Sequence, residues 1–123
     1  MSHDIISDGL NQIMNAKRSG KTELVLNKHS KLLRNILDIA KESGYLDYSI
    51  TGKDLKIEIK NVNTIRAIKP RYTVPVKGIN MYVRRFLPAK DFGFIIVSTS
   101  KGLMKHKEAE EKKIGGCLIA YIY

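Results

Sequence analysis

The amino-acid sequence predicts an α+β fold built from two halves, and three observations favour this prediction. Before residue 45, apolar residues recur at helical spacing in two segments, which indicates two amphipathic helices. From Tyr45 onward, apolar and polar residues alternate with a period of two, which is typical of half-exposed strands. Beyond residue 61, most apolar runs are short and strand-like. We therefore expect an N-terminal half (residues 1–61) of order α-β-α-β-β, packed against a C-terminal antiparallel β-rich half (residues 62–123) with one short helix.

Two helices and a strand are predicted before residue 45. The inward face of the first helix is expected to carry Ile6, Leu10, Ile13 and Met14, and Gly20 to stop it. A short strand, Glu23–Leu26, follows. Ser30 is the expected N-cap of the second helix, which Gly44 ends. Its inward face is predicted to comprise Leu32, Leu33, Ile36, Leu37 and Ala40.

Strands dominate the remainder of the chain. Residues 45–50 are predicted to form a strand and residues 51–54 a turn. The next strand is expected to be half exposed, because Leu55, Ile57 and Ile59 alternate with charged residues. The strands predicted in the second half cover residues 64–68, 74–76, 81–84, 94–97 and 117–123, with a short helix near residues 105–112.

Positive charge is concentrated in the second half. The sequence has 22 Lys and Arg against 12 Asp and Glu, a net charge of +10. Residues 1–61 hold ten basic and eight acidic residues, a net of +2, whereas residues 62–123 hold twelve and four, a net of +8. Residues 62–90 contain seven basic residues and no acidic one. This asymmetry predicts a polyanionic partner, with a solvated basic face as the alternative.

Several function classes lack the residues that they need. Cys117 is the one cysteine, which excludes an intramolecular disulfide and fits a reducing cytoplasm. No apolar run approaches the length of a membrane span, and we expect no membrane partner. Ser19-Gly20-Lys21-Thr22 resembles the end of a phosphate-binding P-loop but lacks the earlier glycine of that motif. The histidines are scattered, so no metal site is expected.

No catalytic constellation emerges from the sequence. Ser98 and Ser100 lie outside any Gly-x-Ser-x-Gly motif. A pair of histidines can in principle cleave RNA by acid–base chemistry, which leaves a small RNA-processing enzyme using His106 or His29 as an alternative. We expect these histidines to lie at the surface, and we expect no catalytic residue and no cofactor.

A cluster of hydroxyl groups follows the most apolar of the predicted strands. Ser98-Thr99-Ser100-Lys101-Gly102 supplies hydroxyls, a lysine and a glycine, the groups that bind phosphates and riboses or let a backbone approach closely. The paired glycines Gly115 and Gly116 would let a second backbone segment come near. An RNA contact and an ordinary polar turn both remain open from these residues alone.

These residues also carry a resemblance to a known family. Ile96-Val97-Ser98-Thr99-Ser100-Lys101-Gly102, with Met104, Glu108-Ala109 and Gly115-Gly116, is similar to the C-terminal signature of the small-subunit ribosomal protein S8 family. Ala67-Ile68-Lys69-Pro70-Arg71 and Arg85-Phe86-Leu87-Pro88-Ala89 resemble its archaeal and eukaryotic branch. With Ser30-Lys31-Leu32 in the first half, the resemblance spans essentially the whole chain.

The resemblance implies a structural protein of the small ribosomal subunit in the cytoplasm. It implies primary binding of an irregular helix in the central domain of small-subunit ribosomal RNA during assembly. The protein would be monomeric within the ribosome and would adjoin other small-subunit proteins. The residues that the resemblance assigns to RNA are Ser98, Thr99, Ser100, Lys101 and Gly102, with Gly115, Gly116 and Tyr121 beside them and Ser30 and Lys31 in the first half.

The basic run would add sequence-independent attraction to phosphates. Its expected contact residues are Arg66, Lys69, Arg71, Arg84 and Arg85. Two departures from the family pattern are a shortened segment between Tyr45 and Ala67 and Cys117 in place of a charged side chain. Besides the RNA-processing enzyme, a generic polyanion binder that takes acidic proteins or anionic membranes is the alternative.

Overall fold

The computed structural model of the protein describes residues 5–68, 71–89 and 92–123. The predicted contact residue Lys69 lies outside these ranges. The chain divides into two compact units, Met1–Arg66 and Ala67–Tyr123. Each unit combines helices with strands, which confirms the predicted α+β class.

The helices of the first unit follow the predicted hydrophobic spacing. Helix α1 spans Ile5–Arg18, and all four residues predicted for its inward face are buried. Strand β1 covers Glu23–Leu26. Helix α2 spans Lys31–Glu42, and its predicted inward residues are buried except Leu32, which is half-buried. The Ser30 hydroxyl accepts a hydrogen bond from the Leu33 N–H at 3.2 Å, which confirms the predicted N-cap.

A three-stranded antiparallel sheet completes the first unit. Strands β2 (Leu46–Thr51) and β3 (Asp54–Ile59) form a hairpin, and the strand order is β1-β3-β2. Leu55 and Ile57 of β3 are buried while the charged residues between them are exposed, as the alternation predicted. The buried faces of the helices and of this sheet form the core of the unit.

The sheet of the second unit is built around two long neighbouring strands. The strands are β4 (Ile65–Ala67), β5 (Thr73–Val74), β6 (Phe94–Thr99), β7 (Gly102–Lys105) and β8 (Gly116–Ile122). Their order is β4-β8-β6-β7, with β5 also paired to β8. The first four residues of β6 are buried, so this strand runs through the core.

One predicted strand of the second half is wrong. Residues 81–84 belong to helix α3, Ile79–Phe86, and not to a strand. Ile79 and Val83 are buried one helical turn apart, with Tyr82 and Phe86 half-buried beside them. A four-residue window containing a valine and a tyrosine looked strand-like, whereas the helical period appears only over the full eight residues.

The other boundaries of the second unit are close to those predicted. The strand predicted at residues 74–76 ends at Val74, and a 3₁₀ turn, Val76–Gly78, follows Pro75. Proline has no N–H to donate to a strand neighbour, which explains the early end. Helix α4 spans His106–Glu111, as predicted near residues 105–112. Strand β7 was not predicted.

Candidate nucleic-acid interface

The predicted hydroxyl cluster forms the tip of a β-hairpin. Strands β6 and β7 pair in antiparallel register, with Thr99 opposite Gly102 and Ser98 opposite Leu103. Ser100 and Lys101 are the two residues that connect the strands. We call residues 98–102 the hydroxyl turn. Because β6 is buried up to Val97, the turn extends directly from the core and has a rigid base.

Within the hydroxyl turn, Thr99 holds the backbone together. Its Oγ1 accepts a hydrogen bond from the Lys101 N–H at 3.1 Å and donates one to the Gly102 carbonyl at 2.9 Å. Gly102 has a φ of +107°, a conformation that favours glycine. Among the described residues, the hydroxyls of Ser98 and Ser100 have no hydrogen-bond partner. The turn is thus braced from inside by one hydroxyl, while two others stay available to a partner.

The paired glycines lie where three backbone segments meet. A Cβ at Gly115 would lie 2.5 Å from the Val74 carbonyl oxygen and 2.9 Å from the Pro75 Cα, and a Cβ at Gly116 would overlap the Ser98 carbonyl oxygen. The segment that the glycines admit therefore belongs to this protein. Their role in the structure is to let residues 74–76 and 98 pack close together beside the hydroxyl turn.

The second unit has exposed basic side chains both within the hydroxyl turn and before it in the sequence. Arg71, Arg84 and Arg85 are all exposed, as is Lys101 in the hydroxyl turn. Arg85 lies over two aromatic rings, with its guanidinium carbon 5.7 Å from the Tyr72 centroid and 5.5 Å from the Phe86 centroid. The acidic residues in the described part of this unit all lie on α4: Glu108, Glu110 and Glu111.

A row of aromatic rings, which was not predicted from the sequence, runs across the second unit. We call it the aromatic row; in order, its members are Tyr72, Tyr82, Phe86, Tyr121, Tyr123 and Phe92. Consecutive ring centroids are 5.1, 6.3, 5.1, 6.2 and 6.0 Å apart. Tyr121, predicted to lie near the glycine pair, is a member of this row.

The remaining predicted contact residues lie in helix α2, at its N-cap and in strand β4, and they differ in exposure. Ser30 caps α2 through its hydroxyl, and Lys31 is exposed in the first turn of that helix. Arg66 is half-buried in β4. Ser30 thus combines a structural bond with whatever contact its remaining lone pair makes.

The two described histidines are structural, and the prediction that they lie at the surface is wrong for His106. His106 is 2% exposed, and its Nδ1 accepts a hydrogen bond from the Ile95 N–H at 3.0 Å. Burial, followed by the charge of Lys107, holds the pKa of His106 below its ordinary value, so the ring is neutral. His29 is half-buried, with Nδ1 2.8 Å from an Arg34 guanidinium nitrogen and Nε2 3.0 Å from the Lys53 carbonyl.

Across residues 5–68, 71–89 and 92–123, no group of three or more His, Cys, Asp or Glu is placed to hold a metal ion. In the same residues, every helix is too short or too polar to cross a bilayer.

The fold and the hydroxyl turn define a small, basic α+β protein whose polar tip suits a hydrogen-bonding polyanion. The family model for ribosomal protein S8 matches residues 4–123. The chain is 40% identical to small ribosomal subunit protein uS8 of Nanoarchaeum equitans over 129 aligned positions that cover 100% of both chains. The uS8 proteins of Archaeoglobus fulgidus and Picrophilus torridus are 39% and 38% identical, again over 100% of both chains. The chain belongs to the ribosomal protein S8 family.

Proposed function

We propose that this protein is a primary binder of an irregular helix in the central domain of small-subunit ribosomal RNA and that it aids assembly of the subunit. Family membership makes it a structural constituent of the small ribosomal subunit in the cytoplasm. Its partners are accordingly small-subunit ribosomal RNA and other ribosomal proteins. The proposal adds the RNA element, the contact residues and the absence of catalysis.

The observation that carries the proposal is that one hydroxyl of the hydroxyl turn stabilises its backbone while two others are left for a ligand. Thr99 fixes the backbone, so no binding energy is lost in ordering it. Ser98 and Ser100, whose hydroxyls have no partner among the described residues, then face their ligand ready to bond. A-form RNA exposes 2′-hydroxyls and base edges in a wide, shallow minor groove, and a serine hydroxyl can both donate to and accept from these groups.

The exposed arginines supply the second part of the proposed interface. Arg71, Arg84 and Arg85 would neutralise phosphates on either side of the groove. These contacts carry no sequence information, so they add affinity and leave selection of the helix to the hydroxyl turn. Arg84→Ala should weaken binding to cognate and unrelated RNA alike and reduce the slope of log K against log salt by about 1.

The proposal includes no catalytic role. His106 lies in the core with its Nδ1 bonded to the backbone, and both ring nitrogens of His29 lie within hydrogen-bond distance of protein atoms. These bonds support structural roles for the two rings. If labelled RNA were cleaved by the protein and His106→Ala or His29→Ala abolished cleavage, the enzyme alternative would replace this reading.

A salt series tests the proposal. The protein is titrated with the central-domain helix and with a scrambled helix of equal length, at salt concentrations that progressively screen phosphate contacts. We expect both RNAs to bind at low salt and only the cognate helix to keep substantial affinity at high salt. Equal loss on both RNAs would favour the generic polyanion binder.

A further inference from the structure

The aromatic row is supported by the core, which gives its rings fixed positions. Five of its members, Tyr72, Tyr82, Phe86, Tyr121 and Tyr123, are partly buried and pack against the buried cluster of the second unit. The sixth, Phe92, is 49% exposed. Because these half-buried rings pack against the core, their exposed apolar surface is already ordered. A ligand that covers this surface therefore loses little side-chain entropy on binding.

The charged side chains near the aromatic row indicate which kind of ligand it would bind. The Arg85 guanidinium lies over Tyr72 and Phe86, and the planar guanidinium itself offers a stacking face. The acidic side chains in the described part of this unit are confined to α4. Aromatic rings interspersed with cations are the combination by which proteins bind unpaired nucleotides: bases stack on rings while arginines attract the backbone.

The position of the row relates it to the hydroxyl turn. Thr73 pairs with Cys117, and Cys117 pairs with Ser98, so these three residues lie side by side across β5, β8 and β6. Tyr72, the first member of the row, directly precedes Thr73 and is therefore one residue from the position aligned with Ser98. Its carbonyl accepts the Leu118 N–H at 2.8 Å. Tyr121 lies toward the other end of β8 and Tyr123 directly follows that strand, about 13 and about 20 Å along the chain from Cys117.

We infer that the aromatic row, together with Arg85, is a stacking surface for unpaired nucleotides of RNA. The inference deepens the proposed function and rests on it, since the stacked nucleotides would be those that flank the helix held at the hydroxyl turn. The row would then extend the interface from a duplex minor groove onto single-stranded RNA, where bases are free to stack. Stacking tolerates any base, so this surface would add affinity without sequence preference.

Tyrosine fluorescence provides a direct test. The protein has six tyrosines and no tryptophan, and four of the six tyrosines belong to the row. The full chain is titrated with a short oligouridylate and with an abasic strand carrying the same number of phosphates. We expect the base-bearing strand to quench tyrosine emission and to bind about tenfold more tightly than the abasic strand at equal salt.

Three variants test whether the ratio of the two affinities, base-bearing over abasic strand, depends on the aromatic row. Phe86→Leu removes a central ring, and Arg85→Lys keeps the charge but loses the planar face, so both should bring the ratio toward one. Phe92→Leu should lower the ratio with little effect on folding, because this ring is half exposed. Tyr48→Leu, in the first unit, is the matched control and should leave the ratio unchanged. A wild-type ratio near one, or a ratio that survives all three variants, would overturn the inference and leave the row as a face for a protein partner.

The outcome can be separated from that of the proposed function. Binding of the central-domain and scrambled helices is measured on the same protein preparations. Specific binding of the helix without any preference for the base-bearing strand overturns the stacking inference alone. A base-dependent ratio with no preference for the central-domain helix supports the stacking surface and contradicts the proposed helix.

Discussion

Each unit contains a β-hairpin with a two-residue turn, and the two hairpins differ in what supports the turn. The β2–β3 hairpin turns through Gly52 and Lys53, with Thr51 opposite Asp54. The β6–β7 hairpin turns through residues 100–101, with Thr99 opposite Gly102. In the first hairpin the last three residues of β2 are exposed, whereas in the second β6 is buried up to Val97.

The two threonines show the same contrast at the level of single bonds. Thr99 makes two hydrogen bonds within its turn, whereas the Thr51 hydroxyl has no partner among the described residues. The glycines differ as well: Gly52 is the first residue of its turn, with φ +62°, and Gly102 follows its turn, with φ +107°. Turns of the same length are therefore supported differently. A buried strand and an internal brace distinguish the second hairpin.

Replacing Gly116 with alanine should break the support of the second hairpin and is the largest effect we expect. The new Cβ would overlap the Ser98 carbonyl oxygen and lie 2.9 Å from Val97 Cγ1. Because backbone and a buried strand must shift, the free energy of unfolding should fall by about 3 kcal/mol. Gly52→Ala is the control: its Cβ would meet nothing within 4 Å, and the positive φ alone costs about 1 kcal/mol. Urea unfolding measures the loss of stability in both variants. Equal losses would contradict the difference in support between the two hairpins.

Removing the Thr99 hydroxyl should destabilise the protein more than removing the Thr51 hydroxyl. Thr99→Val deletes both internal hydrogen bonds at nearly constant shape, so the free energy of unfolding should fall by about 1 kcal/mol. The Lys101 amide should also exchange its hydrogen faster with solvent, since its acceptor is gone. Thr51→Val should change stability by less than about 0.5 kcal/mol. Similar effects of the two substitutions would mean that Thr99 is not a brace.

Buried His106, bonded to the backbone of β6, makes the stability of the second hairpin depend on pH. Its pKa is lowered in the folded protein, first by burial and then by Lys107, whereas in the unfolded chain it titrates near 6.5. The unfolded chain therefore binds the proton more tightly. The stabilising contribution is fully present above about pH 6.5 and is lost as pH falls below that value and through the lowered pKa. Unfolding free energies between about pH 5 and pH 8 should fall on the acidic side for the wild type and less steeply for His106→Gln. Identical pH profiles would contradict a neutral buried ring.

The sequence was sufficient for elements whose pattern repeats over several turns or pairs. Helices α1 and α2 and strand β3 follow their hydrophobic periods, and the Ser30 cap follows from local chemistry. Helix α3 was missed because its period needs eight residues to appear and the predicted window covered four. Strand β7 was missed because it has four residues and the preceding turn was interpreted as a contact loop.

The chemical groups of the candidate site could be predicted from the sequence, but the segments that contact the site could not. The hydroxyl cluster after a buried strand was read from the sequence, but the bracing role of Thr99 requires the hairpin register. The segment that Gly115 and Gly116 admit, residues 74–76 and 98, is distant in sequence and appears only in the folded sheet. The aromatic row had a local signal: Tyr82 and Phe86 at i, i+4 on a helix, and Tyr121 and Tyr123 at i, i+2 on a strand.

We propose that hydroxyls of the second hairpin select the RNA helix, and a matched pair of serine substitutions tests this selection. Ser100→Ala alters the hydroxyl turn, while Ser49→Ala alters an exposed serine of the first hairpin that likewise has no partner among the described residues. Affinity for the central-domain helix and for the scrambled helix is measured for both variants at high salt. We expect Ser100→Ala to lose about 1–3 kcal/mol on the central-domain helix alone and Ser49→Ala to lose nothing on either RNA. Unchanged cognate binding by Ser100→Ala, or an equal loss on both RNAs, would contradict the claim.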